Sequence, residues 1–275
     1  MDINELPRRS VDALGVETNY YITGEENENY ILLLHGMTSS GDAYRELMVA
    51  LADEYCLIAP DLPGFGFSEM TVPYRLSHLV EWVAAFRDAL DLPACPLIGH
   101  SFGGVLATRF TLAHPEDVTR LVLLAPALLA RQHIPKFVMN TGISLGLVDF
   151  GVNVSQSQRI VPYAVKSAFY DSKSQPQSVW ERRLRDYDNA RASADAIKAI
   201  ARQNPRKNLD QVARPICMIW GNEDAVVLAS NGDELLEIWP DAELTKLSDC
   251  GHVPVQEKTA VVINTTRAFL AQDTI

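Results

Sequence analysis

Three residues whose types combine in nucleophilic catalysis occupy suggestive positions in this sequence: Ser101, Asp224 and His252. Ser101 is the centre of a G-x-S-x-G pattern at residues 99–103, directly after an apolar run and directly before a helix-like segment. A serine hydroxyl is a weak nucleophile at neutral pH, so it needs an adjacent base, and a third group must orient that base. We interpret Ser101 as a nucleophile in a sharp strand-to-helix turn, where the flanking glycines avoid clashes.

The candidate base and acid both follow apolar runs in the second half of the chain. His252 lies after the last such run and before a terminal helix-like segment, and the pKa of histidine suits a general base. Asp224 lies just past another run, with Glu223 as a neighbouring competitor, whereas Asp249 is interpreted as shaping the turn before His252. Ligands of open α/β sheets bind outside the carboxyl ends of the strands, so we expect the three groups at that edge.

Two backbone N–H groups are predicted to form an oxyanion hole. The first belongs to Phe102, because a residue at a helix N-terminus has an unsatisfied N–H group that favours developing negative charge. The second belongs to Met37, which follows His35 and Gly36 in a tight loop after an apolar run. His35 and His100 lie inside the motifs, and we interpret both as structural neighbours that hydrogen-bond the loops, not as proton carriers.

The elements that must position these groups alternate between strands and helices. Nearly continuous apolar runs predict buried strands near residues 30–34, 56–59, 96–98 and 120–124. The same pattern resumes in the second half of the chain, with strands predicted near residues 216–220 and 243–247. Helical spacing of apolar residues predicts helices near residues 44–52, 78–90, 102–113, 233–238 and 259–270. This alternation is typical of an α/β fold with a parallel sheet and crossover helices.

The alternation is interrupted once, after the fourth of these strands. Residues 127–205 have amphipathic, helix-compatible stretches, many aromatic residues and no convincing buried strand. No Gly/Ser-rich or charged linker flanks the segment, which argues against a separate domain. We therefore predict a core formed by residues 1–126 and 206–275, with residues 127–205 as a helical cap inserted into it.

Four motifs in this order resemble the α/β-hydrolase superfamily, in the subgroup that carries a helical cap. They are His35-Gly36, the stretch at residues 61–68, the turn around Ser101, and the loops that carry Asp224 and His252. The resemblance implies an eight-stranded, mostly parallel sheet with helices on both faces, a cap after the sixth strand, and neither a metal nor an organic cofactor. Haloalkane dehalogenases and epoxide hydrolases have aspartate where this chain has Ser101, which favours an acyl substrate.

The resemblance implies an esterase or a lipase-like enzyme that cleaves carboxylic esters of small to medium apolar acyl groups through an acyl-enzyme intermediate. Three alternatives stay open: a carbon–carbon bond hydrolase of ring-cleavage products, a cofactor-free haloperoxidase, and a non-catalytic ligand receptor on the same fold. The stretch at residues 61–68 is similar to that of the carbon–carbon hydrolases. Against that reading, Met37-Thr38-Ser39-Ser40 replaces their glycine- and proline-rich loop.

Composition limits the partners and the compartment. The net charge of -11 repels nucleic acid and anionic lipid surfaces, so a small-molecule ester is the expected partner, and the oligomeric state stays open. The four cysteines are scattered singly, which favours reduced side chains that pack as small hydrophobes. We find no secretory signal and no apolar run long enough to insert stably into a membrane, so we expect a cytoplasmic protein.

Overall fold

The six predicted strands and two further ones form one eight-stranded sheet in the computed structural model, which describes residues 6–129, 136–157 and 159–272. The order across the sheet is β1-β2-β4-β3-β5-β6-β7-β8, and β3 to β8 are all parallel to their neighbours within that group. The prediction of a mostly parallel, eight-stranded α/β sheet is confirmed. The strands are β1 (Arg8–Ala13), β2 (Val16–Thr23), β3 (Tyr30–Leu34), β4 (Cys56–Pro60), β5 (Cys95–His100), β6 (Val118–Leu124), β7 (Ile216–Gly221) and β8 (Glu243–Leu247).

The antiparallel hairpin β1–β2 at one edge of the sheet was not predicted from the sequence. Strand β1 is polar and mostly exposed, so it lacks the apolar run that marked the other strands. The two strands are joined at Leu14 and Gly15, which both have positive φ, as a two-residue hairpin turn of the primed type requires. Strand β2 then pairs antiparallel with β4 and attaches the hairpin to the parallel strands.

Helices cover both faces of the sheet because each central strand is apolar on both sides. On β3, Leu32 and Leu34 pack on one face, and Ile31 and Leu33 pack on the other. None of the helices within the described residues is long and apolar enough to cross a membrane. The helices are α1 (Arg45–Leu51), α2 (Leu76–Ala89), α3 (Phe102–Ala113), α4 (Lys136–Ser144), α5 (Leu147–Ser155), α6 (Val161–Ser167), α7 (Gln177–Asp188), α8 (Ser193–Ala201), α9 (Ser230–Ile238), α10 (Pro254–Glu257) and α11 (Thr259–Leu270).

Helices α4 to α8 all lie between β6 and β7, where the sequence predicted a helical insertion. A small apolar cluster of its own joins α6 to α7 through Val165 and Val179, and it also contains Val253 from the core. Helix α8 packs differently, because its Ala196 and Ala199 belong to the main apolar cluster of the sheet. The insertion therefore packs on the core both beside the loop that carries His252 and along α8.

Helix α7 is additionally held by ion pairs to the start of α1. The carboxylate of Asp42 is fully buried and accepts hydrogen bonds from Arg45 Nε at 2.6 Å and from Arg185 Nη2 at 2.7 Å. Arg182, on the same helix as Arg185, pairs with Glu46. Three arginine side chains thus pair with two carboxylates between α7 and the core. This contact is made by side chains and not by backbone atoms.

The four cysteines are reduced and buried, as the sequence predicted. Cys56, Cys95 and Cys217 lie in strands β4, β5 and β7, and Cys250 lies just before His252. Burial raises the pKa of the Cys56 thiol to about 11, which keeps this side chain neutral and apolar in character. These thiols contribute packing to the core.

Candidate active site

Ser101 occupies a strained turn between β5 and α3. Its backbone has φ 51° and ψ −112°, a conformation that residues with a Cβ rarely adopt. A Cβ on Gly99 would lie 2.6 Å from the carbonyl oxygen of Gly103, and a Cβ on Gly103 would overlap the carbonyl oxygen of Leu34. The two glycines therefore allow the backbone to cross itself tightly, and the turn presents the Ser101 side chain at the carboxyl edge of the sheet.

The structure brings Ser101, His252 and Asp224 into one hydrogen-bonded chain. The distance between His252 Nε2 and Ser101 Oγ is 3.0 Å, and that between His252 Nδ1 and Asp224 Oδ2 is 2.7 Å. A carboxylate only accepts hydrogen bonds, so Nδ1 carries the proton and Nε2 is free to accept the hydroxyl hydrogen of Ser101. The three residues are 3 to 7% exposed, and water therefore has limited access to the hydrogen bonds between them.

Asp224, and not Glu223, faces His252. The second oxygen of Asp224, Oδ1, accepts the N–H groups of Val226 and Val227, both at 2.8 Å, so the carboxylate is fixed in its loop after β7. Glu223 turns the other way and accepts the N–H of Cys250 at 3.0 Å. The sequence left these two acids in competition, and the geometry assigns Glu223 to joining the two loops.

The Met37 and Phe102 backbone N–H groups are free to bind a ligand. Within the residues that the structure describes, neither N–H donates a hydrogen bond to another protein group. A Cβ on Gly36 would lie 3.2 Å from Ser101 Cβ, so the Met37 loop passes directly beside the serine. Both residues therefore lie beside Ser101, and the binding of an oxyanion by their N–H groups stays a prediction.

His35 and His100 support the loops around the site, as predicted. The N–H of Leu62 donates to His35 Nε2 at 2.8 Å, and His35 Nδ1 donates to the Gly36 carbonyl at 2.7 Å. His100 Nε2 donates to the carbonyl oxygen of His252 at 2.7 Å. Burial lowers the pKa of His35 to about 4 and lowers the pKa of His100 as well. Both rings are neutral at pH 7, and each makes hydrogen bonds that fix the backbone.

A cavity of about 300 Å³ opens beside Ser101, between the core and the insertion. Among the aromatic residues of the insertion that the structure describes, Tyr187 lines this cavity, whereas Phe169 and Trp180 pack on each other. Most of its wall is aliphatic or small and polar. The lining residues are Met37, Thr38, His100, Ser101, Val152, Ser155, Gln156, Ala164, Ser167, Ala168, Arg183, Tyr187, Ser193, Ile197, Val226, His252 and Val253.

Arg183 is a cavity residue that sequence reasoning missed. It is 4% exposed, and its Nε atom has no hydrogen-bond partner. Among the described residues its guanidinium makes a single long ion pair, to Asp186 at 3.9 Å. Burial lowers the pKa of Arg183 and raises that of Asp186 to about 7. The spacing of Val179, Arg183 and Asp186 at i, i+4 and i+7 was the available signal, because it places all three on one helix face.

Two other features lie away from Ser101. A cavity of about 500 Å³ is lined by Arg120, Ile216 and Trp239 near the amino ends of β6 and β7, and none of the predicted site residues lines it. Within the described residues, His114, Glu116 and Asp117 are the group whose ligand atoms are close enough to share a metal ion. They directly precede β6, at the opposite end of the parallel strands from Ser101.

Comparison with known proteins places this architecture in a family. Residues 29–259 match the family model for the alpha/beta hydrolase fold. The chain is 26% identical to a 2-hydroxy-6-oxo-2,4-heptadienoate hydrolase of Pseudomonas putida, over 99% of both chains, and 25% identical to Lipase 3 of a Moraxella species, over 98% of this chain and 84% of the lipase. A thermophilic esterase from Thermogutta terrifontis superposes with a TM-score of 0.78 at 19% identity, covering 96% of this chain and 98% of the esterase. The family match covers most of the chain, so this protein belongs to the α/β-hydrolase family and is a hydrolase.

Proposed function

We propose that this protein is a serine hydrolase that cleaves carboxylic esters of small to medium apolar acyl groups through an acyl-enzyme intermediate. The observation that carries the proposal is the hydrogen-bonded chain from Asp224 through His252 to Ser101 beside a cavity. The distances suit a neutral His252 that donates from Nδ1 to Asp224 and accepts the Ser101 hydroxyl hydrogen at Nε2, as the reaction requires. Similarity to lipases and an esterase supports the same reaction class.

In the first step, the Ser101 Oγ atom attacks the carbonyl carbon of the ester while His252 Nε2 takes the hydroxyl proton. The new bond makes a tetrahedral centre, whose oxyanion accepts hydrogen bonds from the N–H groups of Met37 and Phe102. Asp224 stabilises the imidazolium that forms. His252 then returns the proton to the alcohol oxygen as the carbon–oxygen bond breaks, which leaves the acyl group on Ser101.

In the second step, His252 takes a proton from water, and the resulting hydroxide attacks the acyl carbon. The tetrahedral centre collapses, the proton passes to Ser101 Oγ, and the carboxylic acid leaves. Each N–H group of such an oxyanion hole stabilises the transition state by about 2.7 to 4 kcal/mol. We assign substrate selection to the cap of residues 127–205, because its α5 to α8 supply much of the cavity wall.

Hydrolysis of a series of p-nitrophenyl esters, from acetate to long-chain acyl groups, tests this proposal. Wild type, Ser101→Ala and Ser10→Ala are compared, the last as a control on the exposed strand β1. Turnover by wild type and by Ser10→Ala, with a loss of more than about 1000-fold in Ser101→Ala, is the expected result. Turnover that survives Ser101→Ala would refute the assignment of the nucleophile. A single bound ligand without turnover would favour the receptor alternative.

The buried Arg183 favours a second candidate, which is hydrolysis of a carbon–carbon bond in an acid-bearing substrate. A guanidinium with so few protein partners is costly to bury, and a substrate carboxylate would pair with it. Two relatives, at 26% identity each, are a 2-hydroxy-6-oxo-2,4-heptadienoate hydrolase and a 2-hydroxymuconate semialdehyde hydrolase, and both names denote acidic substrates. The same Ser101 and His252 would then act on the ketone beside the broken bond.

Paired substrates separate the two candidates. We compare p-nitrophenyl hexanoate with the p-nitrophenyl half-ester of adipate, and we add a 2-hydroxy-6-oxo-dienoate. Arg183→Met removes the charge at similar length, and Arg202→Met on the exposed end of α8 is the control. If Arg183 binds an acid, wild type prefers the half-ester or the dienoate by about tenfold or more, and Arg183→Met alone loses that preference. Equal preference in wild type and Arg183→Met would remove this candidate.

A further inference from the structure

The Glu257 carboxylate receives backbone N–H groups from two separate parts of the chain. Its Oε1 atom accepts the N–H of Gly251 at 2.9 Å and that of Val253 at 3.4 Å, on either side of His252. Its Oε2 atom accepts the N–H of Tyr170, in the insertion, at 2.7 Å. One side chain therefore joins both neighbours of the histidine to the segment that follows α6.

The backbone of His252 also contacts the insertion directly. The N–H of His252 donates to the carbonyl oxygen of Ala168 at 2.7 Å. A Cβ on Gly251 would lie 2.7 Å from this same oxygen and 2.7 Å from the nitrogen of Tyr170, so the two backbones pack without room for a side chain. Residues 251–253 are thus bound to residues 168–170 at several points, and Glu257 closes this contact from the core side.

Glu257 suits this position because a carboxylate accepts hydrogen bonds at both oxygens and donates none. Three N–H donors surround it, and within the described residues no cation pairs with it. Burial raises the pKa of Glu257, whereas the three N–H groups oppose that rise. A glutamine of the same size would turn an NH2 group toward at least one of these donors, which leaves that donor without an acceptor.

We propose that Glu257 is a positioning residue. It holds the His252 ring at hydrogen-bond distance from Ser101 and makes that position depend on residues 168–170 of the insertion. This inference rests on the proposed role of His252 as the base. Glu257 touches neither Ser101 nor the cavity, so it acts through the backbone on both sides of the histidine. A displacement of the insertion from the loop would break the Ala168 contact of His252 and the Tyr170 contact of Glu257 together.

The test compares wild type with Glu257→Gln, and with Glu69→Gln as the matched control. Glu69 also accepts a backbone N–H, from Glu17 at 3.3 Å, but it joins β2 to the loop after β4. We measure kcat and KM on the best ester, the rate at which a fluorophosphonate labels Ser101, and hydrogen exchange of peptides that contain residues 168–170 and 251–253. Circular dichroism and the thermal midpoint report whether each variant folds.

We expect Glu257→Gln to lower kcat and the labelling rate by about tenfold or more with KM within about twofold, since small displacements of a catalytic group slow the chemical step. Exchange should rise in both peptides together, and Glu69→Gln should resemble wild type. A folded Glu257→Gln with wild-type kcat and labelling rate would overturn the inference. So would faster exchange confined to residues 251–253. Wild type that neither turns over esters nor reacts with the probe would instead refute the proposed function.

Discussion

The carboxyl edge of the sheet and the inserted helices are held in place in different ways. At the sheet edge, glycines allow backbone segments to approach closely around Ser101 and His252, and buried neutral histidines bind the loops. In the insertion, the Cβ positions of Gly142 and Gly151 face open space, and α7 is attached to the core by ion pairs to Asp42 and Glu46. Close backbone packing is thus prominent around the proposed reacting groups, whereas side-chain ion pairs attach α7 to the core.

The close approach of backbone segments at the sheet edge is a property of the fold, whereas the ion pairs of α7 depend on individual side chains. On the proposed mechanism, we expect a change at the sheet edge to alter the chemical step itself, because the proposed reacting groups lie within hydrogen-bond distance and tolerate little displacement. Away from residues 168–170, we expect a change in the insertion to alter which substrate is accepted. Substrate preference can therefore change while the groups at the carboxyl edge of the sheet stay the same.

The largest expected effect at the sheet edge is that of Asp224→Asn. An amide in this position can donate to Nδ1 and thereby favour the wrong imidazole tautomer, so we expect kcat to fall about 10⁴-fold. Glu223→Gln is the matched control, since Glu223 is next in sequence but accepts the Cys250 N–H. Steady-state kinetics on the ester that wild type hydrolyses fastest measure kcat for both variants. A comparable loss of kcat in both variants would mean that activity depends on the conformation of the loop and not on the carboxylate of Asp224.

A pair of glycine substitutions sharpens the comparison between the two regions. In Gly103→Ala, the new Cβ overlaps the Leu34 carbonyl, and we expect a loss of more than about 4 kcal/mol in unfolding free energy. In Gly151→Ala, the new Cβ on α5 meets nothing within 4 Å, and better helix propensity should stabilise the protein by about 0.5 to 1 kcal/mol. Urea denaturation measures both. Equal changes in unfolding free energy for the two variants would contradict the difference in packing between the sheet edge and the insertion.

Asp42→Asn tests whether ion pairs hold the insertion. This substitution removes the buried charge that pairs with the largely buried Arg45 and with the exposed Arg185, and we expect the unfolding free energy to fall by about 3 kcal/mol. KM should rise more than kcat falls, because α7 lines the cavity but carries no reacting group. Asp53→Asn, on the exposed surface, serves as control. An unchanged KM would show that α7 keeps its place without the Asp42 contact.

The smallest expected loss of stability concerns His35 and pH. Burial sets the folded-state pKa of His35 at about 4, below the usual value of 6.5, so the unfolded chain binds more protons and stability falls as pH drops through this range. Compared with His35→Gln, wild type should lose about 2 kcal/mol of unfolding free energy between pH 7 and pH 5. Urea denaturation of both proteins at the two pH values measures this change. Parallel pH dependence would mean that His35 is not kept neutral by burial.

Strong local patterns made the core and the candidate site predictable from the sequence. Apolar runs marked most of the parallel strands, although β8 is partly polar, and the order of the loops after the strands located Ser101, Asp224 and His252. Hairpin β1–β2 was not predicted because β1 is polar and mostly exposed, so it has no apolar run. The inward position of Arg183 depends on how α7 docks against the core, and exposed Phe150 and Tyr163 blur the helical periodicity of the insertion. The contacts of Glu257 join residues 87 positions apart, which local sequence does not reveal.

Covalent labelling of Ser101 tests the central claim most directly. Wild type and His252→Ala are treated with a fluorophosphonate, and the modified peptide is identified by mass spectrometry. We predict one adduct per chain at Ser101 in wild type, forming at least about 100-fold more slowly in His252→Ala, because the imidazole takes the hydroxyl proton during attack. An adduct at another residue, or equal rates in the two proteins, would contradict the assignment of Ser101 and His252 as nucleophile and base.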